Sequence, residues 1–363
     1  MDSTHAQLAT PQSSPQPAAP KPAARLPAQF WSRAGVRAGL AFGALMGRPI
    51  EAAGQRMDPT MSALIRFVRK LPQGGAPASG GGLHGLQAFR KQYEAAPGLT
   101  GLHPDPLVPP QPVPGLPGGR EYLPLTTPRA TMLYFHGGGF IIGSPATHDA
   151  LCRRLARQAG VRVVNAAYPL APEHPFPAAH DAAAAAWAWV RANRPGPYIL
   201  AGDSAGANLA AGLGLGDAQG EAAALTVLLY PVTDMLHQDG LYPSIELFRE
   251  GYLLSAAGLE ECARLLLRPG ADRADLRLSP QRADLSRAAP SLVMTAGFDP
   301  LRDQGRAWVT ALQASGRPAW LLEEEGMVHG FADFAGVVPA ARRAVDRLAA
   351  AVAERLDKDA AHT

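Results

Sequence analysis

The sequence predicts an α/β fold in which helices cover both faces of a mostly parallel sheet. From about residue 131 onward, short apolar runs typical of buried strands alternate with longer runs typical of helices. A hydrophobic fraction of 47% and a charged fraction of 18% indicate a packed globular chain. Two glycine-containing motifs each follow a predicted strand directly. The 363 residues could hold one large α/β domain with extra segments, or two ordinary domains.

The predicted strands and helices follow one another as βα units do. Strands are expected near 131–135, 161–167, 198–203, 224–230, 291–297 and 318–322. Helices are expected near 147–159, 179–192, 205–216, 303–315 and 338–356. Residues 122–125 are predicted to form an edge strand, where a proline is tolerated. In such a sheet the functional residues are expected at the carboxyl ends of the strands.

The region before the sheet has a different composition. Residues 1–28 are rich in Pro, Ala, Ser and Gln and almost free of large apolar residues, so we expect them to be disordered. Residues 31–50 could form a weakly amphipathic helix, but the uncharged run within them is too short to span a bilayer. No stable membrane insertion is therefore expected, whereas peripheral contact with a membrane stays open. Further helices are predicted at 57–71 and 83–93.

A serine lies in a Gly-x-Ser-x-Gly motif between a predicted strand and a predicted helix. The motif is Gly202-Asp203-Ser204-Ala205-Gly206. A serine on such a tight turn is held in a strained backbone conformation that projects its hydroxyl from the top of the sheet. Small residues are needed beside it because the strand and the helix approach each other closely. The motif recurs by chance, but its position here makes Ser204 the candidate nucleophile of a serine hydrolase.

A run of three glycines follows the first predicted strand of the sheet, in His136-Gly137-Gly138-Gly139-Phe140. Glycines at a strand end let the backbone approach a ligand and point free N–H groups at it, as a developing oxyanion requires. A flexible turn is the alternative. The run nevertheless lies upstream of the serine motif, where lipases and esterases place their oxyanion loop. We expect His136, with Gly137, to brace this loop by hydrogen bonding and not to act as a base.

An acid and then a histidine are expected after the nucleophile. Asp299 follows a predicted strand directly, where its side chain can reach over the sheet. Asp303 is the alternative acid, although its position better suits the start of the next helix, where a carboxylate interacts favourably with the helix dipole. His329 follows the last predicted strand through three glutamates, which we expect to form a solvated strand end. The other histidines, His148 among them, lie near the termini, before the sheet or before the acid.

Four segments in this order resemble the hormone-sensitive-lipase-like (bacterial family IV) branch of the α/β-hydrolases, which contains many carboxylesterases. They are His-Gly-Gly-Gly-Phe, Gly-Asp-Ser-Ala-Gly, Asp-Pro-Leu-Arg-Asp and His-Gly-Phe. Residues 167–178 are similar to the family's Tyr-Arg-Leu-Ala-Pro-Glu segment, and the resemblance extends over about 131–334. It implies the catalytic residues Ser204, Asp299 and His329. It also implies that an oxyanion hole is formed by the amides of Gly138, Gly139 and Ala205.

Two positions depart from the family's pattern. Pro169 stands where the family usually has Arg, so any ion pair made by that arginine is lost. Gln304 stands where a Glu commonly follows Asp-Pro-Leu-x-Asp. Neither position belongs to the triad. We expect effects on local packing and on the groups that support the acid loop.

The resemblance also implies a helical cap over the site, and hence an α/β-hydrolase fold with a mostly parallel central sheet. We expect residues 1–50 to be a disordered or weakly helical extension and residues 51–120 an N-terminal cap segment. Residues 121–363 would then form the hydrolase domain, with a cap insertion at about 235–278. A cap that excludes water strengthens the electrostatic contacts beneath it. An insertion that serves packing alone is the alternative.

Charge and cysteine content argue against other classes of protein. The net charge is +3, but no nucleic-acid recognition motif is present and the arginines are scattered, so no nucleic-acid partner is expected. Cys152 and Cys262 lack metal-ligand spacing and are expected to be buried free thiols, which suggests a reducing, cytoplasmic location. No metal or organic cofactor is implied. The expected partner is a small-molecule ester.

The expected reaction is the hydrolysis of short- to medium-chain acyl esters through an acyl-enzyme. Butyrate to octanoate esters are expected as the best substrates, because the sequence shows no extended apolar surface for docking on lipid. The weakly amphipathic segment at 31–50 leaves a wider groove for long acyl chains open. An amidase or arylacetamide-deacetylase-like activity is the alternative. A second alternative, from a different class of protein, is a non-catalytic receptor that binds a small apolar ligand under the cap.

Overall fold

A computed structural model describes residues 32–70, 82–216, 223–236 and 240–360 of the chain. The segment at 1–28, which was predicted to be disordered, lies outside these residues. In chain order the strands within the described ranges are β1 (Glu51–Ala52), β2 (Gln55–Arg56), β3 (Gln111–Pro112), β4 (Arg120–Tyr122), β5 (Thr131–Phe135), β6 (Arg162–Ala166), β7 (Tyr198–Asp203), β8 (Leu225–Leu229), β9 (Ser291–Phe298) and β10 (Ala319–Val328).

Eight of these strands form the central sheet, in the order β10-β9-β8-β7-β5-β6-β4-β3. All neighbours from β10 to β6 pair in parallel, and β4 and β3 add an antiparallel edge. Every residue of β5, β8 and β9 is buried, as expected for strands covered on both faces. β1 and β2 form a separate antiparallel pair.

The helices are α1 (Arg33–Met46), α2 (Pro59–Val68), α3 (Gly82–Ala95), α4 (Asp149–Ala159), α5 (Ala178–Asn193), α6 (Ala205–Leu213), α7 (Pro243–Leu247), α8 (Ala256–Leu266), α9 (Arg302–Ala314) and α10 (Pro339–Ala360). Their ends follow from the sequence. Asp58 caps α2 by accepting from the amides of Thr60 and Met61, and Pro59 occupies the first turn. Gly160 ends α4 in the left-handed conformation that glycine adopts at low cost.

Apolar residues form a core on each face of the sheet, with α4 and α10 on one side and α5, α6 and α9 on the other. The predicted α/β fold with a mostly parallel sheet is therefore confirmed. The register aligns the carboxyl ends of the strands: Asp203 pairs with Leu229, and Val328 pairs with Phe298. The residues that follow β7, β9 and β10 therefore meet at one edge of the sheet.

Two strand predictions differ from the structure. The edge strand expected at 122–125 is β4, which ends at Tyr122 and so avoids the proline. β10 continues through the three glutamates to Val328, so they lie inside the strand and not at its end, and Glu323 and Glu325 are exposed there. Glu324 is buried and forms an ion pair with Arg347 of α10. The expectation was wrong for Glu324 because α10, a separate element later in the chain, buries this side chain and supplies the opposite charge.

Candidate active site

Ser204 occupies the turn between β7 and α6. Its φ of 51° and ψ of −117° lie in a region that non-glycine residues rarely adopt, so the turn holds backbone strain. A Cβ atom on Gly206 would overlap the Phe135 carbonyl oxygen, and one on Gly202 would overlap the backbone of Gly206. The glycines are therefore needed for the strand and helix to meet, and the serine hydroxyl is left at the carboxyl edge of the sheet.

Ser204, His329 and Asp299 form a continuous relay. The Ser204 Oγ lies 2.9 Å from His329 Nε2, and His329 Nδ1 lies 2.8 Å from Asp299 Oδ2. Asp299 is fully buried and its other oxygen accepts from the Leu301 amide at 2.8 Å. With neutral imidazole, Nδ1–H donates to the carboxylate and Nε2 accepts from the hydroxyl. This geometry allows His329 to take the serine proton while Asp299 stabilises the resulting charge.

Asp303 does not take part in this relay. It lies in the first turn of α9, where it pairs with Arg302 at 2.8 Å and with Arg306 at 3.5 Å. It also accepts from the Ser244 amide at 2.8 Å. Burial alone would raise the pKa of Asp303, but the bond from Arg302 and the neighbouring charges lower it. Its contacts make it a structural link between α9 and the segment that contains α7.

The glycine loop after β5 adopts conformations that side chains disfavour. Gly138 and Gly139 have φ values of 118° and 61°. The Gly138 carbonyl accepts from the amides of Ile141 and Ile142, at 3.0 Å each. A Cβ on Gly139 would lie 2.6 Å from Cys262 Sγ, so α8 packs directly on the loop. Among the described residues, the Gly138 and Gly139 amides have no acceptor, which leaves these donors free for a ligand.

His136 and Gly137 support this loop. His136 Nδ1 lies 2.8 Å from the Gly137 carbonyl oxygen, to which it donates as a neutral ring. Its ring stacks on Tyr168, whose hydroxyl donates to the His136 carbonyl at 2.6 Å. Burial, followed by the nearby His148, lowers the pKa of His136 to about 3, so the ring stays neutral. It therefore acts through the backbone.

A buried ion pair that the sequence did not predict lies beneath the loop. Asp203 accepts from the Gly137 amide at 2.9 Å and from the Tyr134 hydroxyl at 2.8 Å, and it lies 3.1 Å from His148 Nε2. Burial opposes both charges. Asp203 nevertheless raises the pKa of His148 to about 9, and His148 lowers the pKa of Asp203. The acidic residue at the variable position of the serine motif was the signal that could have found this pair.

Helix α3 is tied to three segments around the site. Arg90 donates to the Ile141 and Ala171 carbonyls, at 2.7 Å each, and forms a two-point ion pair with Glu173. Tyr93 donates to Asp333, just beyond His329, at 2.9 Å. Burial raises the pKa of Asp333. Arg90 thus brings a guanidinium to the segment in which Pro169 replaces the family's arginine.

Gln304 replaces the family's glutamate without leaving a gap in hydrogen bonding. It is buried, its side-chain oxygen accepts from the Thr233 and Asp234 amides, and its nitrogen donates to the Asp234 carbonyl at 2.9 Å. These contacts link α9 to the segment that follows β8. The amide supplies both a donor and an acceptor, so the second departure leaves α9 hydrogen-bonded to that segment.

The cysteines differ from each other in burial. Cys152 is a buried free thiol, as expected. Cys262 is also a free thiol, but the residue is only partly buried. Burial of its sulfur raises the pKa of Cys262 to about 12. In the described ranges no three His, Cys, Asp or Glu side chains are arranged to hold a metal ion. No helix of those ranges has the length and apolar character needed to cross a bilayer.

Comparison with known proteins shows which family the chain resembles. A family model described as an α/β hydrolase fold matches residues 132–333. The chain is 37% identical to a carboxylic ester hydrolase, LipN, of Mycobacterium tuberculosis over 306 residues, which cover 78% of this chain and 79% of that protein. It is 39% identical to an ethyl acetate hydrolase of Pseudomonas putida over 219 residues, which cover 58% of this chain and 68% of that protein.

Solved structures agree with these matches. A metagenomic ester hydrolase from Lake Arreo is 32% identical, with a TM-score of 0.71, and the match covers 81% of this chain and 96% of that one. EstE1, a metagenomic carboxylesterase, is 36% identical with a TM-score of 0.67, over 75% of this chain and 97% of that one. The chain belongs to the hormone-sensitive-lipase-like, bacterial family IV branch of the α/β-hydrolases and is a carboxylic ester hydrolase.

Proposed function

We propose that the chain is a serine carboxylesterase in which Ser204 is the nucleophile, His329 the general base and Asp299 the orienting acid. The observation that supports this most is the unbroken relay from the buried carboxylate to a hydroxyl on a strained turn, with bonds of 2.8 and 2.9 Å. His329 takes the proton as Ser204 Oγ bonds to the ester carbonyl carbon. Asp299 keeps the His329 ring in the tautomer whose Nε2 can accept the serine proton.

The tetrahedral oxyanion is held by the amides of Gly138, Gly139 and Ala205. The positive φ values of the two glycines and the packing of the loop support this role. The ester C–O bond then breaks, and the alcohol leaves with the proton from His329. Water repeats the sequence on the acyl-enzyme: His329 takes its proton, the hydroxyl attacks the carbonyl carbon, and Ser204 leaves with the proton while the acid is released.

Two segments act as a cap over this site, namely the described parts of residues 51–120 and of the insertion at about 235–278. Helix α3 of the first segment contacts the oxyanion loop and the histidine loop through Arg90 and Tyr93. Helix α8 of the second segment contacts Gly139 through Cys262. Both segments therefore pack against the loops beside the proposed reacting groups, and they can exclude water from the site.

The substrates we propose are short- to medium-chain acyl esters. The close approach of Cys262 to Gly139 restricts the space above the oxyanion loop. Two relatives are named an ethyl acetate hydrolase and an acetyl-hydrolase, and both names describe small acyl groups. A relative named Lipase 2 supports the wider groove as the alternative.

The predicted cytoplasmic location rests on the two cysteines, both of which are free thiols.

A series of p-nitrophenyl esters from acetate to palmitate, with matching anilides, tests this function. We expect the highest kcat/KM between butyrate and octanoate, a steep fall at palmitate and no rise in rate when the substrate forms an emulsion. Equal rates on palmitate would replace the short-chain assignment by a lipase. Faster cleavage of anilides would support an amidase. Binding of esters without turnover would support the receptor.

A further inference from the structure

Helix α1 presents an apolar face to solvent. Phe42, Leu45 and Met46 are 66%, 83% and 70% exposed, the largest exposed fractions of any large hydrophobic side chain in the described ranges. Apart from Arg37, the other exposed residues of this helix are small and apolar: Ala34, Ala38, Gly39 and Ala41. Apolar groups that are clustered in this way, as opposed to scattered singly, mark an interaction surface.

The opposite face of α1 is already packed against the rest of the protein. Leu40 is buried, and Gly43 lies so close to Ala63 of α2 that an added Cβ would be 3.2 Å from that side chain. Arg66 of α2 donates to the Gly43 carbonyl at 3.0 Å, and Arg33 donates to the Pro97 carbonyl at 2.9 Å. The helix is thus fixed by its inner face, and the apolar outer face is left to contact something else.

The surroundings of this face are cationic. Residues 32–50 contain three arginines and no Asp or Glu. Arg37 and Arg48 are exposed, and the first acid after them, Glu51, has Arg56 as an ion-pair partner. Phe and Leu beside arginines on a short helix are typical of segments that lie in the surface of an anionic bilayer. A second copy of this chain fits less well, because a symmetric contact would bring like charges together.

We propose that α1 is a docking helix for an anionic lipid surface. Phe42, Leu45 and Met46 enter the headgroup region, while Arg37 and Arg48 contact lipid phosphates. The contact is peripheral, since the helix lies on the surface and does not cross it. The proposal takes up the peripheral membrane contact that the sequence left open. The proposal is independent of the catalytic assignment, because α1 packs on α2 and the turn near Pro97.

Co-sedimentation of the full chain with phosphatidylcholine vesicles, with and without phosphatidylglycerol, tests the proposal. Phe42→Gln/Leu45→Gln keeps good helix formers but removes apolar contact, and should weaken binding at least about tenfold. Arg37→Gln/Arg48→Gln should weaken binding to the anionic vesicles roughly tenfold at low salt. The matched control is Leu107→Gln/Leu276→Gln, which alters side chains that are 59% and 49% exposed elsewhere and should bind like the wild type.

Several results would overturn the proposal. These are a wild type that does not sediment with anionic vesicles, equal binding to vesicles without phosphatidylglycerol, and unchanged binding of Phe42→Gln/Leu45→Gln. A wild type that elutes as a dimer, with the same variant eluting as a monomer, would assign the face to a second copy. Equal melting temperatures of the variants and the control show that a change in binding does not come from unfolding.

Discussion

Two Asp–His pairs lie at the carboxyl edge of the sheet and differ in what the second imidazole nitrogen faces. In the pair of Asp299 and His329, the second nitrogen, Nε2, lies 2.9 Å from the Ser204 hydroxyl oxygen. In the pair of Asp203 and His148, the other nitrogen lies 2.8 Å from Thr147 Oγ1 within the protein. The same residue types can therefore move a proton in one place and hold a loop in the other.

Burial strengthens this difference. The His148 side chain is 1% exposed, its ring centroid lies 6.2 Å from that of Tyr134 and 5.7 Å from that of His136, and the charge of Asp333 also acts on it. The His329 side chain is 11% exposed and has the edge of Tyr230 beside it. A pair that keeps its charge at neutral pH suits a support, because its carboxylate accepts from the Gly137 amide. A general base must instead change its charge in each cycle.

The largest effect is expected at Ser204, the proposed nucleophile. Ser204→Ala removes the group that only the pair of Asp299 and His329 faces. Turnover of p-nitrophenyl butyrate should fall on the order of a millionfold, while the melting temperature stays close to that of the wild type. A variant that keeps a tenth of the wild-type rate, after repurification to exclude contaminating esterase, would remove Ser204 from its role.

The two aspartates should differ by about two orders of magnitude in their effect on kcat. Asp299→Asn should lower kcat roughly ten-thousandfold, because His329 would adopt the wrong tautomer. Asp203→Asn should lower kcat about a hundredfold, because the oxyanion loop loses its anchor at Gly137. Equal losses, or a greater loss for Asp203→Asn, would contradict the division of roles between the pairs.

Loss of the buried charge in Asp203→Asn also costs stability, on the order of 3–5 kcal/mol. Tyr134→Phe provides a milder test, since it removes one hydrogen bond to Asp203 and keeps both members of the ion pair. We expect it to lower kcat by less than about tenfold with KM nearly unchanged. A larger change in KM than in kcat would indicate that the pair supports substrate binding instead of the oxyanion loop.

The support pair should control stability in alkaline solution. The pKa of His148 is raised from 6.5 to about 9, so its contribution is complete below pH 6.5 and is lost as pH rises through about 9. Burial lowers the pKa of His136 to about 3 and that of His180 to about 4, so stability also falls as pH drops below 6.5. The melting temperature should therefore be highest near pH 6.5.

His148→Gln separates these two slopes. Its melting temperature should be lower than that of the wild type at pH 6.5 and should change less between pH 6.5 and 9, because the titrating group is absent. The acidic slope should remain, since His136 and His180 are unchanged. An alkaline slope as steep as that of the wild type would show that other groups cause it.

Asp303→Asn is expected to have as small a catalytic effect as Tyr134→Phe. This change weakens ion pairs with Arg302 and Arg306 but leaves the relay intact. We expect kcat to fall by less than about tenfold and the free energy of unfolding by about 1–3 kcal/mol. Urea denaturation and p-nitrophenyl butyrate turnover, measured on the same preparation, check both values. A loss of turnover as large as that of Asp299→Asn would assign the role of orienting acid to Asp303 instead of Asp299.

The sequence was sufficient to predict the sheet and to place Ser204, Asp299 and His329 at the same edge of it, because each of the three follows an apolar strand. It was not sufficient for the support pair, since the motif treats Asp203 as a variable position and His148 precedes the acid. The ion pair of Arg90 with Glu173 joins residues 83 apart in the chain, and local patterns carry no information on such contacts. Burial of Glu324 likewise depends on where α10 packs.

Covalent trapping tests directly whether Ser204 is the nucleophile. A p-nitrophenyl alkylphosphonate should release p-nitrophenol and leave a single phosphonyl group on each chain, on the peptide that contains Ser204. The adduct should be absent from Ser204→Ala and should form far more slowly in Asp299→Asn than in Asp303→Asn. An adduct on any other residue, or unimpaired labelling of Ser204→Ala, would contradict the account.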